Sequence, residues 1–289
     1  MRRSALCAIT LAILAPTSAA QAQTAYGLLG SDRIVTFDAA APGTIITNQA
    51  ITGLGAGEVL TGIDIRPANG LIYTVATSGN LYSLSSGPGA YAATLVGNIG
   101  TPIIGSNFGI DFNPVPDRLR FVSDGDQNLR INPNNAVTLT DGSINPSDLN
   151  LIGSAYINNF AGATATTLFG IDSLTASLVR STNPNAGTYI SVGSLGLGAI
   201  GTDARVGFDV FTSSGVNTAY LALNDQLYTV NLTTGAATAV GAIGADDIRG
   251  LTLRLGFVPE PSTWAMMICG FGMVGSALRR PAGRATLTA

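Results

Sequence analysis

The segment FGIDFNPVPDRLRFVSD, residues 108–124, sets the pattern for the rest of the chain. It predicts a strand (FGIDF), a turn broken by prolines (NPVPD) and a second strand (RLRFV). The first strand recurs as LTGIDIRP at residues 60–67 and as VGFDVFT at residues 206–212, with weaker counterparts at 154–159 and 249–254. Self-similarity with a period of roughly forty to fifty residues is typical of repeat architectures, and the blades of β-propellers have this length.

A small residue opens each of the five units: Gly62, Gly109, Ala155, Gly207 and Gly250. Behind the first four of these lie three further short segments of alternating apolar and polar residues, separated by turns rich in Gly, Asn, Asp and Ser. Each unit therefore predicts four antiparallel strands, the content of one propeller blade.

The two ends of the domain predict how a ring of such units would close. Residues 24–51 supply only three strands, which match the second to fourth strands of a unit, whereas residues 249–255 supply a single first strand. Joined, they complete a fifth unit and leave no exposed sheet edge at the closure. We therefore predict an all-β protein, a β-propeller of five four-stranded blades closed by the C-terminal strand, with a two-sheet sandwich as the alternative.

The interval between Ala155 and Gly207 is wider than the others. It predicts an insertion in the unit that Ala155 opens, the fourth blade when the N-terminal strands are counted as the first, at residues 158–165 or 195–205. Such loops lie on one face of a propeller and often carry its binding surface.

Composition excludes several classes of function. The chain has 289 residues, no histidine and only arginine as a basic residue. Nine of the arginines and sixteen of the seventeen acidic residues lie within 23–258, so this part carries a formal charge of −7, which argues against nucleic-acid binding. Without His, Lys or Cys there, Ser-His-Asp and Cys-His catalysis, Schiff bases and His-ligated zinc are excluded.

Both ends of the sequence carry addressing signals. Residues 1–22 have a basic start, an apolar run and a small-x-small pattern before Gln23, as expected of a helical signal peptide for Sec export. At the other end, Pro259-Glu260-Pro261 precedes an apolar run (residues 264–278) and the pair Arg279-Arg280. We predict a transmembrane helix for that run, with its basic end in the cytoplasm.

This C-terminal arrangement resembles the PEP-CTERM sorting signal of Gram-negative bacteria. The resemblance implies that an exosortase-type membrane protease is a processing partner. It also implies cleavage near Pro259–Pro261, a transient stay in the inner membrane, and delivery to the cell surface or the medium. The expected division is therefore a signal peptide (1–22), a repeat domain (23–257) and a sorting segment (258–289).

The body of the chain resembles a bacterial domain family of unknown function that is common in secreted and PEP-CTERM proteins. The segments that carry this resemblance are GIDIRPANGLIY, FGIDFNPVPDRLRFVSD and QNLRINP. The family implies export and a β-repeat fold but brings no activity and no functional residues.

Three aspartates occupy the same place in their units: Asp64, Asp111 and Asp209. If the first strands line a central channel, these carboxylates converge there, and such a set can bind Ca²⁺ or act in glycoside hydrolysis. The structural interpretation is that Asp at a repeated position bonds a nearby turn or backbone amide, and we favour it because catalytic sites tend to break repeat symmetry.

Two further groups of residues invite a functional interpretation. Asp124, Asp126 and Asn128 have the D-x-D-x-N spacing that opens a Ca²⁺ loop, but the later glycine and glutamate of an EF-hand are missing, and a plain turn is the alternative. The arginines 118, 120 and 130 either bind an anionic sugar or, as we favour, pair with Asp117 and Asp124.

The sequence thus predicts an exported, non-catalytic propeller that binds an extracellular component such as exopolysaccharide or a matrix protein, with no cofactor apart from a potential Ca²⁺ ion. The alternatives are a carboxylate-dependent glycosidase or lyase, or a Ca²⁺-binding propeller, built on the Asp64, Asp111 and Asp209 set, and a purely structural matrix protein.

Overall fold

A computed structural model describes residues 23–201 and 203–255. The predicted signal helix (1–22) and the predicted sorting segment with its transmembrane helix (258–289) lie outside the described residues. The described chain forms twenty strands and one short 3₁₀ helix, Pro184–Ala186, so the all-β prediction is confirmed. Within these residues, no helix has the length and apolar character needed to cross a bilayer.

The strands have the following bounds in chain order: β1 Gln23–Leu29, β2 Arg33–Asp38, β3 Ala41–Thr52, β4 Asp64–Ile65, β5 Ile72–Val75, β6 Asn80–Ser86, β7 Ala90–Asn98, β8 Phe108–Asn113, β9 Arg118–Ser123, β10 Asn128–Ile131, β11 Thr138–Thr140, β12 Leu151–Tyr156, β13 Leu168–Asp172, β14 Ser177–Asn183, β15 Thr188–Ser194, β16 Val206–Ser213, β17 Val216–Leu223, β18 Gln226–Val230, β19 Ala237–Ala242 and β20 Ile248–Leu255.

Four-stranded antiparallel meanders recur along the chain. Strands β8–β11, β12–β15 and β16–β19 each form a separate four-stranded sheet in sequential order. The remaining strands form one eight-stranded sheet in the order β20-β1-β2-β3-β7-β6-β5-β4. Its two halves meet where β3 and β7 pair in parallel through residues 50–52 and 90–92. These sheets are consistent with propeller-like blades, and their number excludes the two-sheet sandwich.

The C-terminal strand pairs with the N-terminal one, as the sequence predicts. Strand β20 runs antiparallel to β1 from Gln23, opposite Leu255, to Leu29, opposite Ile248. The half-sheet β20-β1-β2-β3 therefore combines the two ends of the described chain. This pairing covers the edge of β1 that would otherwise be free to pair with another chain.

The first strands of the five meanders touch one another in a closed order: β4 contacts β8, β8 contacts β12, β12 contacts β16, β16 contacts β20, and β20 contacts β4. Apolar side chains fill the space between neighbouring sheets; one cluster, for example, joins β12–β15 to β16–β19 and includes the buried Phe169, Phe208 and Leu221. Burial of a side chain of this size stabilises the fold by about 1.5–3 kcal/mol.

The prediction that Ala155 opens its unit was wrong. Gly153, and not Ala155, is the counterpart of the other opening glycines, because a Cβ on Gly109 would lie 2.5 Å from the amide nitrogen of Ser154 and 2.7 Å from the carbonyl carbon of Gly153. The other first strands carry Asp or Thr two residues after the glycine, whereas Gly153 is followed at that place by Ala155, so the pattern is not visible in the sequence. Ala155 consequently occupies the place that Asp64 and Asp111 hold in their strands.

Candidate functional site

The three aspartates of the repeated strands converge. Asp64 on β4, Asp111 on β8 and Asp209 on β16 each place one carboxylate oxygen within 4.8 Å of the other two. Their side chains are fully inside the protein, with 1%, 0% and 1% of their surface exposed. We call these three residues the aspartate cluster.

Each carboxylate of the cluster accepts a hydrogen bond from the backbone of the next first strand. Asp64 accepts from Phe112 N at 2.7 Å, Asp111 accepts from Tyr156 N at 3.0 Å, and Asp209 accepts from Leu253 N at 2.6 Å. The favoured interpretation of the repeated aspartates is thus supported in one respect: they bond backbone amides, although these belong to the neighbouring sheet rather than to a nearby turn.

Thr252 completes this pattern on β20. Its hydroxyl accepts from Ile65 N at 3.2 Å and donates to Asp64 Oδ1 at 2.8 Å, and its side chain is fully buried. Thr252 was not among the candidate residues that the sequence predicted for this cluster, since these were all carboxylates. Its position two residues after Gly250, matching Asp64 after Gly62, could have revealed it.

The electrostatics of the cluster are unfavourable for three ionised groups. Burial raises the pKa of all three carboxyls, that of Asp209 to about 6, and the negative neighbours raise the pKa values of Asp64 and Asp111 further. Among the described residues, no arginine forms an ion pair with any of the three. Asp111 Oδ2 and Asp209 Oδ1 are buried and accept no hydrogen bond.

A collar of five glycines lies two residues before the cluster aspartates and the equivalent positions of β12 and β20. Four of them are in first strands and Gly62 comes just before β4; the five are Gly62, Gly109, Gly153, Gly207 and Gly250. The first strands approach most closely here: a Cβ on Gly207 would lie 2.6 Å from Leu251 N, and one on Gly250 would lie 2.9 Å from Ile63 N. The collar encloses a cavity of about 10 Å³, close to the minimum that holds one water molecule.

A larger cavity of about 510 Å³ opens at the end of the ring where the first strands begin. The residue immediately before each collar glycine lines it: Thr61, Phe108, Ile152, Val206 and Arg249. We call it the axial cavity. Sequence analysis did not identify these five positions, although the place before each repeated glycine is a signal that could have found them.

Further polar and charged side chains complete the lining of the axial cavity: Thr77, Ser106, Asn107, Asp203 and Arg205. Two of these, Asp203 and Arg205, come from the connection between β15 and β16, one of the two places where the sequence predicts an insertion. Asp247 organises the basic part of the lining, since its Oδ1 accepts from Arg249 Nε at 2.8 Å and lies 3.5 Å from Arg205 Nε.

The segment with Ca²⁺-loop spacing forms a turn whose side chains serve other contacts. Asp124 accepts from the amides of Ser106, at 2.7 Å, and Asn107, at 3.1 Å, and so fixes the loop before β8. Asn128 is buried, and its Oδ1 faces Arg120 Nη1 at 2.7 Å. An oxygen that faces a guanidinium group is not available to a cation. Asp126 has a left-handed backbone (φ 61°), as turn residues of this type tolerate.

The arginines of the central unit do not pair with the acids that the sequence suggested. Arg120 is buried and donates to Asp141 Oδ2 at 2.7 Å, and Arg130 bonds the same carboxylate through two nitrogens. Asp117 instead binds Arg66, while Arg118 donates to backbone carbonyls. These arginines are therefore engaged in holding sheets and turns together.

Comparison with known proteins gives the family. Residues 33–252 match the family described as Domain of unknown function (DUF4394). The chain belongs to the DUF4394 family. The sequence-based recognition of a family of unknown function is thus confirmed, and the DUF4394 region spans all the strands that carry the aspartate cluster and the axial cavity.

The second match concerns the end of the chain. Residues 257–280 match the PEP-CTERM protein-sorting motif, which includes Pro259, Glu260, Pro261, Arg279 and Arg280. This DUF4394 protein is accordingly an exported cell-surface protein that carries the signal for exosortase-type processing. The motif itself lies outside the described residues.

Solved structures resemble the DUF4394 domain at low sequence identity, and no curated protein matches it. A protein of unknown function from Bacteroides thetaiotaomicron aligns at 14% identity and a TM-score of 0.51 over 80% of this chain, which spans 60% of that protein. A chain of the nidogen/laminin complex aligns at 12% identity and a TM-score of 0.48, with 80% of this chain and 98% of that chain covered.

The burial of the aspartate cluster bears on the hypothesis of a glycosidase. A glycosidase must bring two carboxyl groups to opposite sides of a sugar ring. Here the carboxylates are at most 1% exposed and lie beyond a collar cavity of about 10 Å³. A sugar does not fit there, so this geometry disfavours carbohydrate cleavage by these residues.

Proposed function

We propose that the DUF4394 domain of this protein is a five-bladed β-propeller that binds an extracellular matrix component without catalysis, and that the axial cavity is the binding site. The single observation that supports this most is the composition of the cavity, to which the first strands of all five meanders contribute. Its volume of about 510 Å³ lies in the range of small-molecule sites, roughly 300–1,000 Å³.

The lining favours a polar ligand with negative charge. Among the described residues that line the cavity, Phe108 is the single aromatic one, so they do not offer a platform for stacking against several sugar faces. Hydroxyl and amide groups provide hydrogen-bonding partners for sugar hydroxyls. Arg205 and Arg249 provide guanidinium groups, which bind carboxylates in bidentate fashion. Arg205 already pairs with Asp225 and Asp247, and Arg249 with Asp247, so a ligand carboxylate would share these groups with the aspartates. An exopolysaccharide that carries carboxylate groups is therefore the first candidate, ahead of a protein of the matrix.

The same proposal includes the export and the proteolytic processing of the protein. Residues 1–22 would be removed after Sec export, residues 23–257 would form the binding domain, and residues 258–289 would hold the precursor in the inner membrane until an exosortase-type protease cleaves near Pro259–Pro261. Such processing leaves no membrane helix in the mature protein, as with other removed C-terminal anchors.

The test is binding of purified protein to the exopolysaccharide of the producing bacterium, measured by isothermal titration calorimetry. We expect Arg249→Ala to weaken binding about tenfold or more, because a hydrogen bond to a charged group contributes about 1.5–3 kcal/mol. Arg33→Ala is the matched control, since Arg33 bonds Asn48 on β3 and is not among the residues lining the cavity.

Two results would refute the proposal. One is the absence of binding to any fraction of the matrix. The other is binding that Arg33→Ala and Arg249→Ala weaken equally, which would put the site elsewhere.

A further inference from the structure

The aspartate cluster holds more negative charge than its surroundings neutralise. Isolated ionised groups in a protein interior are so costly that they are either paired or bound to metals, or else protonated. The cluster brings together three carboxyl groups that are at most 1% exposed, and the described part of the chain offers them no ion pair. Positive charge, either from bound protons or from a bound cation, must therefore accompany them.

The unused oxygens show where this charge belongs. Asp64 uses both oxygens on donors, namely Ile65 N, Thr252 Oγ1 and Phe112 N. Asp111 and Asp209 instead each keep one buried oxygen, Oδ2 and Oδ1 respectively, that accepts no hydrogen bond. Buried polar atoms without partners are rare in folded proteins, and an unseen ion is one of the standard explanations.

The chemistry of the donors fits a hard cation. All available ligand atoms are oxygens, one from each carboxylate within 4.8 Å of the other two, with the hydroxyl of Thr252 beside them. Oxygens that share one Ca²⁺ show separations of this size, because Ca–O distances are about 2.3–2.6 Å. Mg²⁺ demands shorter distances and a nearly octahedral shell, which this asymmetric set does not offer.

The fifth position of the ring carries a small apolar residue. Ala155 stands where the other four first strands carry Asp or Thr, so no fifth polar side chain projects from β12 at this level. The small cavity in the glycine collar lies two residues before this level along the first strands. The buried hydroxyl of Ser154, which also lacks a hydrogen-bond partner, lies beside Gly109 in that collar.

We propose that Asp64, Asp111 and Asp209 bind one Ca²⁺ ion at the centre of the ring of first strands. The ion bridges the strands β4, β8 and β16, which belong to three different sheets, and so ties the ring together from within. This site is independent of the ligand proposed for the axial cavity, and either can fail without the other.

The experiment uses the purified full-length protein, stripped of metal with EGTA and then dialysed into CaCl2. We expect one calcium per chain by elemental mass spectrometry, and a rise of about 5–10 °C in Tm at a Ca²⁺ concentration of 100 times Kd. Neither measurement depends on a variant. A stripped protein that takes up no calcium and keeps its Tm in CaCl2 would overturn the proposal.

Variants locate the ion. Asp111→Asn should lower the Ca²⁺ affinity about 100-fold or more, while its metal-free Tm should equal or exceed that of the wild type, because it removes one uncompensated buried charge. Asp172→Asn is the matched control: Asp172 is equally buried but accepts from Asn150 N and Leu174 N, so this variant should lose stability and keep the calcium response.

A third variant tests the other candidate loop. Asp124→Asn should retain the full Ca²⁺-induced shift in Tm, because Asp124 fixes a turn. If Asp124→Asn abolishes the shift and Asp111→Asn keeps it, the ion is bound at residues 124–128 and the proposed site is wrong.

Discussion

The glycine collar permits a graded test of how closely the first strands pack. A methyl group added at Gly109 would lie 2.5 Å from Ser154 N and 2.7 Å from the carbonyl carbon of Gly153, both atoms of a neighbouring backbone. At Gly62 the nearest atom would be Ile110 Cδ1 at 3.3 Å, the end of a flexible side chain. The two glycines occupy equivalent positions, yet the structure predicts very different costs for replacing them.

The magnitudes follow from those distances. Inserting an extra methyl group into a packed core costs about 1–3 kcal/mol, and backbone atoms cannot rotate away, so Gly109→Ala should lose about 3 kcal/mol. For Gly62→Ala, a small adjustment of Ile110 is offset by about 0.5–1 kcal/mol that alanine gains over glycine in a strand. The expected result is a change in stability close to zero.

Urea denaturation followed by far-UV circular dichroism measures the free energy of unfolding of both variants. In thermal denaturation, a loss of 3 kcal/mol corresponds to a fall in Tm of about 6–12 °C. Gly201→Ala serves as a control, since a Cβ there would meet no atom within 4 Å. Equal costs at Gly62 and Gly109, or a cost at Gly109 no greater than at Gly201, would refute the close approach of β8 and β12.

Other predictions concern buried charge. Arg120→Met should destabilise the protein by about 3–5 kcal/mol in urea denaturation, because Arg120 is 1% exposed and its loss removes a guanidinium partner of the buried Asp141. The control Arg118→Met should cost less than about 1 kcal/mol, since Arg118 bonds carbonyls at an exposed turn; equal losses would contradict the assignment. In protein kept free of divalent cations, the free energy of unfolding should fall as the pH rises from 4 to 7. The folded state holds the proton of Asp209 up to a pKa of about 6, above the ordinary value of 3.8, so the stability that protonation brings is complete below pH 3.8 and lost as the pH passes 6. Asp209→Asn should flatten that fall, and a profile that Asp209→Asn leaves unchanged would assign the effect to other groups.

Much of the fold could be predicted because strands are encoded locally. Alternation of apolar residues and turn residues at short intervals located the strands, and the count of three at one end and one at the other predicted the pairing of β20 with β1. The sequence also predicted that Asp64, Asp111 and Asp209 belong together, because residues at equivalent repeat positions occupy equivalent places in space.

Sequence reasoning failed where a contact depends on a neighbouring sheet. The opening glycine of β12 was misplaced, because Ala155 replaces the Asp or Thr that follows the other opening glycines by two residues, so Gly153 lacks the repeated pattern. The partners of the arginines were wrong for a similar reason: Asp141 lies 21 residues from Arg120 along the chain and meets it only when β10 and β11 fold onto β9.

The sequence by itself determined the all-β character, the four-stranded units, the C-terminal sorting motif, and the absence of histidine and cysteine side chains from the domain. Only the tertiary structure decided that the aspartates are buried beyond reach of a sugar and that the residues before each glycine form a cavity. The physical reason is that hydrogen bonding and side-chain alternation act between neighbours along a strand. Burial and pocket shape, in contrast, depend on how five first strands, far apart in the chain, approach one another around a common centre.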